Sequence, residues 1–155
     1  MAIDAISHVI DSPSRVVLDT DVMVSALRST SGASYQLLLC AFRREIEALV
    51  SVPLMMEYEA VLTRPEHVAS SGSSLQEVEN ILAVMANKLT PVWFGFMWRP
   101  CLRDPADEMV LETAINGDAD ALVTFNERHL ATAARTFGVR VMKPRDCFKE
   151  ALRRR

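Results

Sequence analysis

The residues of this chain whose types and spacing suit chemistry are carboxylates. Asp19 and Asp21 follow at once on a short run, Arg15-Val16-Val17-Leu18, rich in β-branched residues. Glu57 stands five residues after an apolar run that ends at Val52, and Asp104 and Asp107 bracket Pro105-Ala106. Asn126 closes another apolar run, Ala121 to Phe125. Brought together, such acids repel, and two unit charges 4 Å apart cost roughly 4 kcal/mol at an effective dielectric of 20. A cation relieves this, and a ligand set made only of oxygen selects a hard ion, Mg2+ or Mn2+. Such ions keep several waters, activate one as a nucleophile and stabilise a leaving oxygen in phosphoryl transfer.

Other chemistries have no matching residues. His8, His67 and His129 lack ligand spacing such as H-E-x-x-H, and His129 reads as a bystander one turn into a helix. No glycine-rich phosphate loop, G-x-S-x-G elbow or Cys/His pairing appears. Cys40, Cys101 and Cys147 are odd in number and far apart, which fits a reducing cytosol rather than a disulfide framework. The eight methionines and six phenylalanines read as core filling.

Half of the 155 residues are apolar and 24% charged, as expected for one globular domain. No apolar run approaches the roughly 18 residues of a membrane span, so a cytoplasmic protein is expected. Residues 1–14 carry Asp4 and Asp11 and no Lys or Arg, which suits a loose leader or an added helix rather than a secretory signal. The domain proper is expected over 15–155. Net charge is −3, yet residues 126–155 hold nine Lys/Arg against three Asp/Glu. Either an anionic polymer runs past that basic tail, or its cations serve the dipole of a C-terminal helix.

The elements that must position the acids alternate between strand and helix. Strands are expected at 15–18, 48–52, 91–94, 121–125 and 139–142. Helices are expected from Asp21 to Leu27 or Arg28, over 34–44, from Pro53 to about Thr63, over 75–88 and 105–116, after Asn126 to Phe137, and from Arg145 onward. His67 to Ser74 reads as a polar turn and Gly95 to Arg103 as loop. Alternation of this kind gives an α/β sandwich with a mainly parallel sheet, in which ligands sit outside the carboxyl ends of the strands.

Each acid also has a plainer structural reading. Glu57 falls with Pro53, Leu54, Ala60 and Val61 on a face expected to pack on the sheet, where an unpaired carboxylate is costly. At the edge of that stripe it would instead reach water or an arginine. Asp104, Pro105 and Asp107 resemble a capping box, but a cap does not require the acid at 107 to face the sheet. Asn126 reads first as a helix N-cap, although its amide oxygen suits a metal-bound water. Asp118 and Asp120 flank a turn.

These residues resemble the PIN-domain nucleases, which include the VapC-like toxins of bacterial toxin–antitoxin pairs. The resemblance covers about residues 15–148. Val16-Val17-Leu18-Asp19-Thr20-Asp21 is similar to the opening strand and its aspartate, although Asn is more usual at the position of Asp21. Glu57 to Pro65 is similar to the second acidic segment, with Glu57 as the acid. Arg103 to Glu108 followed by Leu111-Glu112-Thr113-Ala114 resembles the third, with Asp107 as the acid and Asp104 extra. Leu122 to Asn126 looks like the fourth, where many members carry an Asp. Each segment is short, but four occur in order at matching spacing.

The resemblance implies a three-layer sandwich of strand order 3-2-1-4-5 and Mg2+- or Mn2+-dependent cleavage of RNA. Asp19, Glu57 and Asp107 would be catalytic and ligate the metal together with Asp104, with Asp21 and Asn126 completing the shell. It further implies a toxin component with a cognate antitoxin, and leaves room for a homodimer. Water activated by the metal would attack the phosphorus in line, leaving a 5′-phosphate and a 3′-hydroxyl. Two alternatives share parts of the pattern. The haloacid-dehalogenase-like phosphatases also open on D-x-D, with the first acid (here Asp19) as covalent nucleophile. They need a lysine, however, and Lys88 is the only one before Lys143. A PIN-like binding module without metal is the other alternative, and the acids at 19, 57 and 107 argue against it.

Overall fold

Val16-Val17-Leu18, Ala48-Leu49-Val50 and Ala121-Leu122-Val123 are buried on both sides, as strands of a parallel sheet covered by helices must be. A computed structural model describes residues 14–94 and 104–155 of the chain. The strands are β1 (Arg15–Leu18), β2 (Glu47–Val50), β3 (Thr90–Pro91), β4 (Ala121–Val123) and β5 (Arg140–Met142). They form one sheet of order β3-β2-β1-β4-β5, and every pairing is parallel. Val16 lies opposite Ala48 on one side and Ala121 on the other.

The described helices are α1 (Thr20–Arg28), α2 (Ala33–Phe42), α3 (Val52–Leu62), α4 (Pro65–Ser71), α5 (Leu75–Lys88), α6 (Pro105–Asn116), α7 (Glu127–Thr136) and α8 (Pro144–Arg153). The result is the expected three-layer α/β sandwich. Helix α6 packs on β1, β2 and β4, while α2 packs on α8. Residues fully buried in this core, such as Leu18, Leu49, Leu54 and Leu122, each contribute roughly 1.5–3 kcal/mol.

The sheet runs outward from β1 in two directions, first through β2 to β3 and then, after α6, through β4 to β5. The reversal puts a crevice at the carboxyl ends of β1 and β4, where open α/β sheets bind ligands.

Several local expectations are corrected. Helix α1 begins at Thr20 and not at Asp21, and Asp19, which keeps extended backbone, is its N-cap. The stretch read as a polar turn from His67 overlaps α4, which starts at Pro65 and is closed by Gly72 with φ 70. A helix that buries no residue leaves no apolar periodicity to detect. The buried stripe of α3 is Leu54, Tyr58, Val61 and Leu62, with Pro53 and Ala60 exposed, so Glu57 flanks the stripe instead of sharing it. The third strand is Thr90–Pro91 and not 91–94. The expected leader at 1–14 (all but its last residue), the expected loop at 95–103 and Cys101 lie outside the described residues.

One turn fixes how closely α6 can approach the sheet. Gly117 follows α6, and its carbonyl accepts from Arg15 Nε at 3.1 Å and Nη2 at 2.7 Å. A Cβ at Gly117 would stand 2.7 Å from Leu49 Cδ1, 2.8 Å from Val92 Cγ2 and 3.0 Å from the Thr113 carbonyl oxygen. Its φ of −89 suits any residue, so space alone selects glycine. Gly117→Ala is therefore expected to lower stability by about 1–3 kcal/mol through overpacking, read from urea unfolding. An unchanged midpoint would mean that Leu49 and Val92 swing aside freely.

Candidate active site

Asp19 takes its position from β1. Its backbone N–H donates to the Val123 carbonyl at 2.9 Å, which holds the ends of β1 and β4 together. Its side chain is buried, 6% exposed. Oδ1 accepts from the Thr20 N–H at 2.7 Å, and Oδ2 accepts from the Thr124 hydroxyl at 2.7 Å. Burial pushes the carboxyl above its ordinary value, the two hydrogen bonds pull it back, and the charge of Asp104 pushes it up again.

Asp21 lies one position into the first turn of α1. Its Oδ2 accepts from the Phe125 N–H at 3.1 Å and more loosely from the Thr124 hydroxyl at 3.4 Å. Its Oδ1 is buried without a hydrogen-bond partner among the described residues. Burial, then the charge of Asp19, raises the Asp21 pKa to about 6.

Asp104 caps α6 by accepting from the Ala106 N–H at 2.9 Å. Asp107 makes no reciprocal capping bond among the described residues. Its carboxyl is raised by burial, then by Asp19 and Asp104, while His129 acts in the opposite sense. Asp19, Asp21, Asp104 and Asp107 thus act on one another as one electrostatic group drawn from β1, α1 and α6. His129, set aside on sequence for want of ligand spacing, stands close enough to act on Asp107.

Glu57 is half-buried on α3, and none of the charges that act on Asp19, Asp21 or Asp107 comes from it; its neighbour reaches the group instead. The fully buried Tyr58 donates its hydroxyl to the Leu18 carbonyl, and the charge of Asp19 adds to burial in raising the phenol's pKa. Asn126 is exposed and stands at the N-cap position of α7 without a side-chain capping bond, contrary to the plain cap expected. Its backbone N–H donates to the Thr124 hydroxyl at 2.9 Å.

Sequence reasoning missed Thr124 and Tyr58. A hydroxyl ending an apolar strand and a tyrosine on an apolar helical stripe each carry a polar atom that needs a partner once buried. Both signals are legible, though neither names its partner. Arg155 pairs with Glu45 at 2.7 Å and Arg140 with Glu150 at 3.2 Å. Arg154 lines a small space with Ser14, Ile46 and Ala121, at the amino ends of the strands and away from the acids.

The family model for the PIN domain matches residues 15–128. The chain belongs to the PIN-domain family. No curated protein matches it. It is accordingly a nuclease by family, a hydrolase of phosphodiester bonds, and PIN nucleases generally use divalent metal ions. The residues of this PIN domain fit such an ion. The donors are all oxygen, three of the acids are raised by burial and mutual repulsion, and Asp21 Oδ1 is a buried acceptor without a hydrogen-bond partner among the described residues. Among the described residues no group of three or more His, Cys, Asp or Glu is placed to hold a metal ion. An open arrangement suits Mg2+, which keeps several waters and binds through one or two carboxylates.

The raised carboxyl of Asp21 sets a pH dependence. A folded-state pKa of about 6 against an ordinary 3.8 means that the native state holds the proton more tightly between those values. Stability of the metal-free protein should therefore fall as pH rises from about 4 through 6. Glu45 and Glu150, held down by Arg155 and Arg140, lose their contribution only as pH falls below their ordinary 4.5. Asp21→Asn should flatten the decline between pH 4 and 6 in melting curves recorded with EDTA. An equal decline in the variant would assign it to other groups.

Proposed function

We propose that this PIN domain is a metal-dependent endoribonuclease and the toxin component of a toxin–antitoxin pair. The observation that carries the reading is the electrostatic group of Asp19, Asp21, Asp104 and Asp107 at the point where the strand order reverses. Asp19, Glu57 and Asp107 would ligate Mg2+ or Mn2+ with Asp104, and Asp21 and Asn126 would complete the shell. The bound cation supplies an activated water and stabilises the leaving oxygen of the phosphodiester.

The chain's own residues hold and orient. Thr124 and the Thr20 N–H each fix one oxygen of Asp19, so no rotation is needed when a cation arrives. Asp19 serves as ligand and forms no bond to phosphorus. Lys88, the sole candidate for the lysine a phosphatase of D-x-D type needs, ends α5 on the surface. RNA as substrate and a cognate antitoxin follow from the family resemblance, which leaves room for a homodimer, and the cysteine usage suits a cytoplasmic setting. No helix among the described residues is long and apolar enough to cross a membrane.

Two measurements test the reading. Incubated with Mg2+ and a short RNA, the protein should cut internally, and EDTA, Asp19→Asn or Asp107→Asn should each abolish cutting. A labelled phosphomonoester under the same conditions should leave no acid-stable label on the chain, because Asp19 is no nucleophile. Label on Asp19, or phosphate release without RNA cleavage, would overturn the assignment in favour of the phosphatase.

Mn2+ should also raise the melting temperature of the wild type, since a ligand present at one hundred times its Kd adds about 2.7 kcal/mol to the native state. Asp19→Asn should match or exceed the stability of the metal-free wild type and lose the response to Mn2+. Neither cleavage nor Mn2+ binding would point to the binding module.

A further inference from the structure

The hydroxyl of Tyr58 meets the chain beside Asp19. Pairing of β1 with β2 is recorded as far as Val16 opposite Ala48, whereas pairing with β4 continues to Leu18 opposite Val123. At the last residue of β1, then, the β2 side is open, and the Leu18 carbonyl takes its proton from Tyr58 on α3. Leu18 is 1% exposed and Tyr58 0%, so water does not substitute freely. Leu18 precedes Asp19, and Tyr58 follows Glu57. One hydrogen bond therefore joins the immediate neighbours of two carboxylates that the chain places 38 residues apart.

A second tie fixes the start of the same helix. Ser51, the N-cap of α3, accepts from the Leu54 N–H at 3.3 Å and lies 2.7 Å from the Thr113 hydroxyl of α6. Thr113 donates its own proton to the Met109 carbonyl at 2.8 Å, so Ser51 is the donor between the two hydroxyls. Helix α3 is held at its start against α6, which carries Asp107, and in its middle against β1, which ends at Asp19.

We propose that Tyr58 is a positioning residue for the cation site, its hydroxyl on the Leu18 carbonyl setting the end of β1 and with it the carboxylate of Asp19. The inference rests on the metal-nuclease reading above and deepens it. Groups that orient metal ligands without touching the metal typically change affinity by about 10–100-fold when removed. Tyr58→Phe keeps every carbon and deletes only the bond.

The test is Mn2+ titration by calorimetry on the full chain, comparing wild type, Tyr58→Phe and Ala151→Gly. Ala151 is a buried residue of α8 beside Ser14 and Ile46, at the opposite end of the strands, and its glycine variant supplies a loss of melting temperature unrelated to the site. Tyr58→Phe should weaken Mn2+ binding about tenfold or more, while Ala151→Gly binds as the wild type. Unchanged binding in Tyr58→Phe, or equal weakening in both variants, would reduce Tyr58 to a core residue. A wild type that binds no Mn2+ would instead overturn the metal-nuclease reading itself.

Should Tyr58→Phe not fold, fluorine NMR of the wild type labelled with 3-fluorotyrosine replaces it. Tyr35 and Tyr58 are the two tyrosines, and Tyr35→Phe assigns their signals. Saturating Mg2+ should shift the Tyr58 signal and leave that of Tyr35 in place. A Tyr58 signal unmoved by bound Mg2+ would overturn the proposal.

Discussion

The site depends on keeping a carboxylate almost out of water at the end of a buried strand. Left alone there, Asp19 would take up a proton, since removing a charge from water without compensation is prohibitive. Three things oppose that outcome. The Thr20 N–H caps one oxygen, the Thr124 hydroxyl holds the other, and the Asp19 backbone is bonded to Val123 so that the side chain cannot withdraw. The fold supplies all three at one point because β1 and β4 are adjacent in the sheet although about one hundred residues separate them in the chain. The strand order 3-2-1-4-5 is thus a requirement of the chemistry as much as a packing solution.

Hydroxyls do most of the positioning. Thr124 donates to Asp19 and accepts from Asn126, Tyr58 holds the Leu18 carbonyl, and Ser51 and Thr113 tie α3 to α6. A hydroxyl offers one proton and two lone pairs without charge, so it can brace an anionic site and add nothing to the repulsion. Lysine or arginine in these places would neutralise the acids and compete with a cation for them. Among the described residues, Arg15 pairs with Glu47, Arg140 with Glu150 and Arg155 with Glu45, all away from the acids.

How much of this was legible in the sequence varies with the kind of signal. The β-branched run before Asp19, the Asp104-Pro105 start of α6 and the apolar run before Thr124 report local structure directly, and the structure has strand, helix and strand at those places. Glu57 shows how periodicity blurs. Pro53 and Ala60 counted as apolar and drew the stripe toward Glu57, whereas the buried side of α3 is set by Tyr58 and Leu62. Helix α4 was invisible because it buries nothing, and its proline start and glycine stop imitate a turn. Thr124 and Tyr58 escaped for another reason. Their partners, Asp19 and Leu18, are 105 and 40 residues away, and spacing along the chain carries no information about such pairs.

Asn126 illustrates how charge number constrains a site of this kind. Asp19, Asp21 and Asp107 are each raised by burial and by a neighbouring acid, so a further negative charge among them is unfavourable. A carboxylate at 126 would add a further negative charge beside the Thr124 hydroxyl, which is shared between Asp19 and Asp21. An amide at that position keeps an oxygen ligand and adds no charge. Its side chain makes no capping bond to α7. The backbone of Asn126 is meanwhile fixed to Thr124, so its placement is set by the same hydroxyl that orients Asp19. The Thr124 hydroxyl at the end of β4 therefore orients Asp19 and fixes the backbone of Asn126 together.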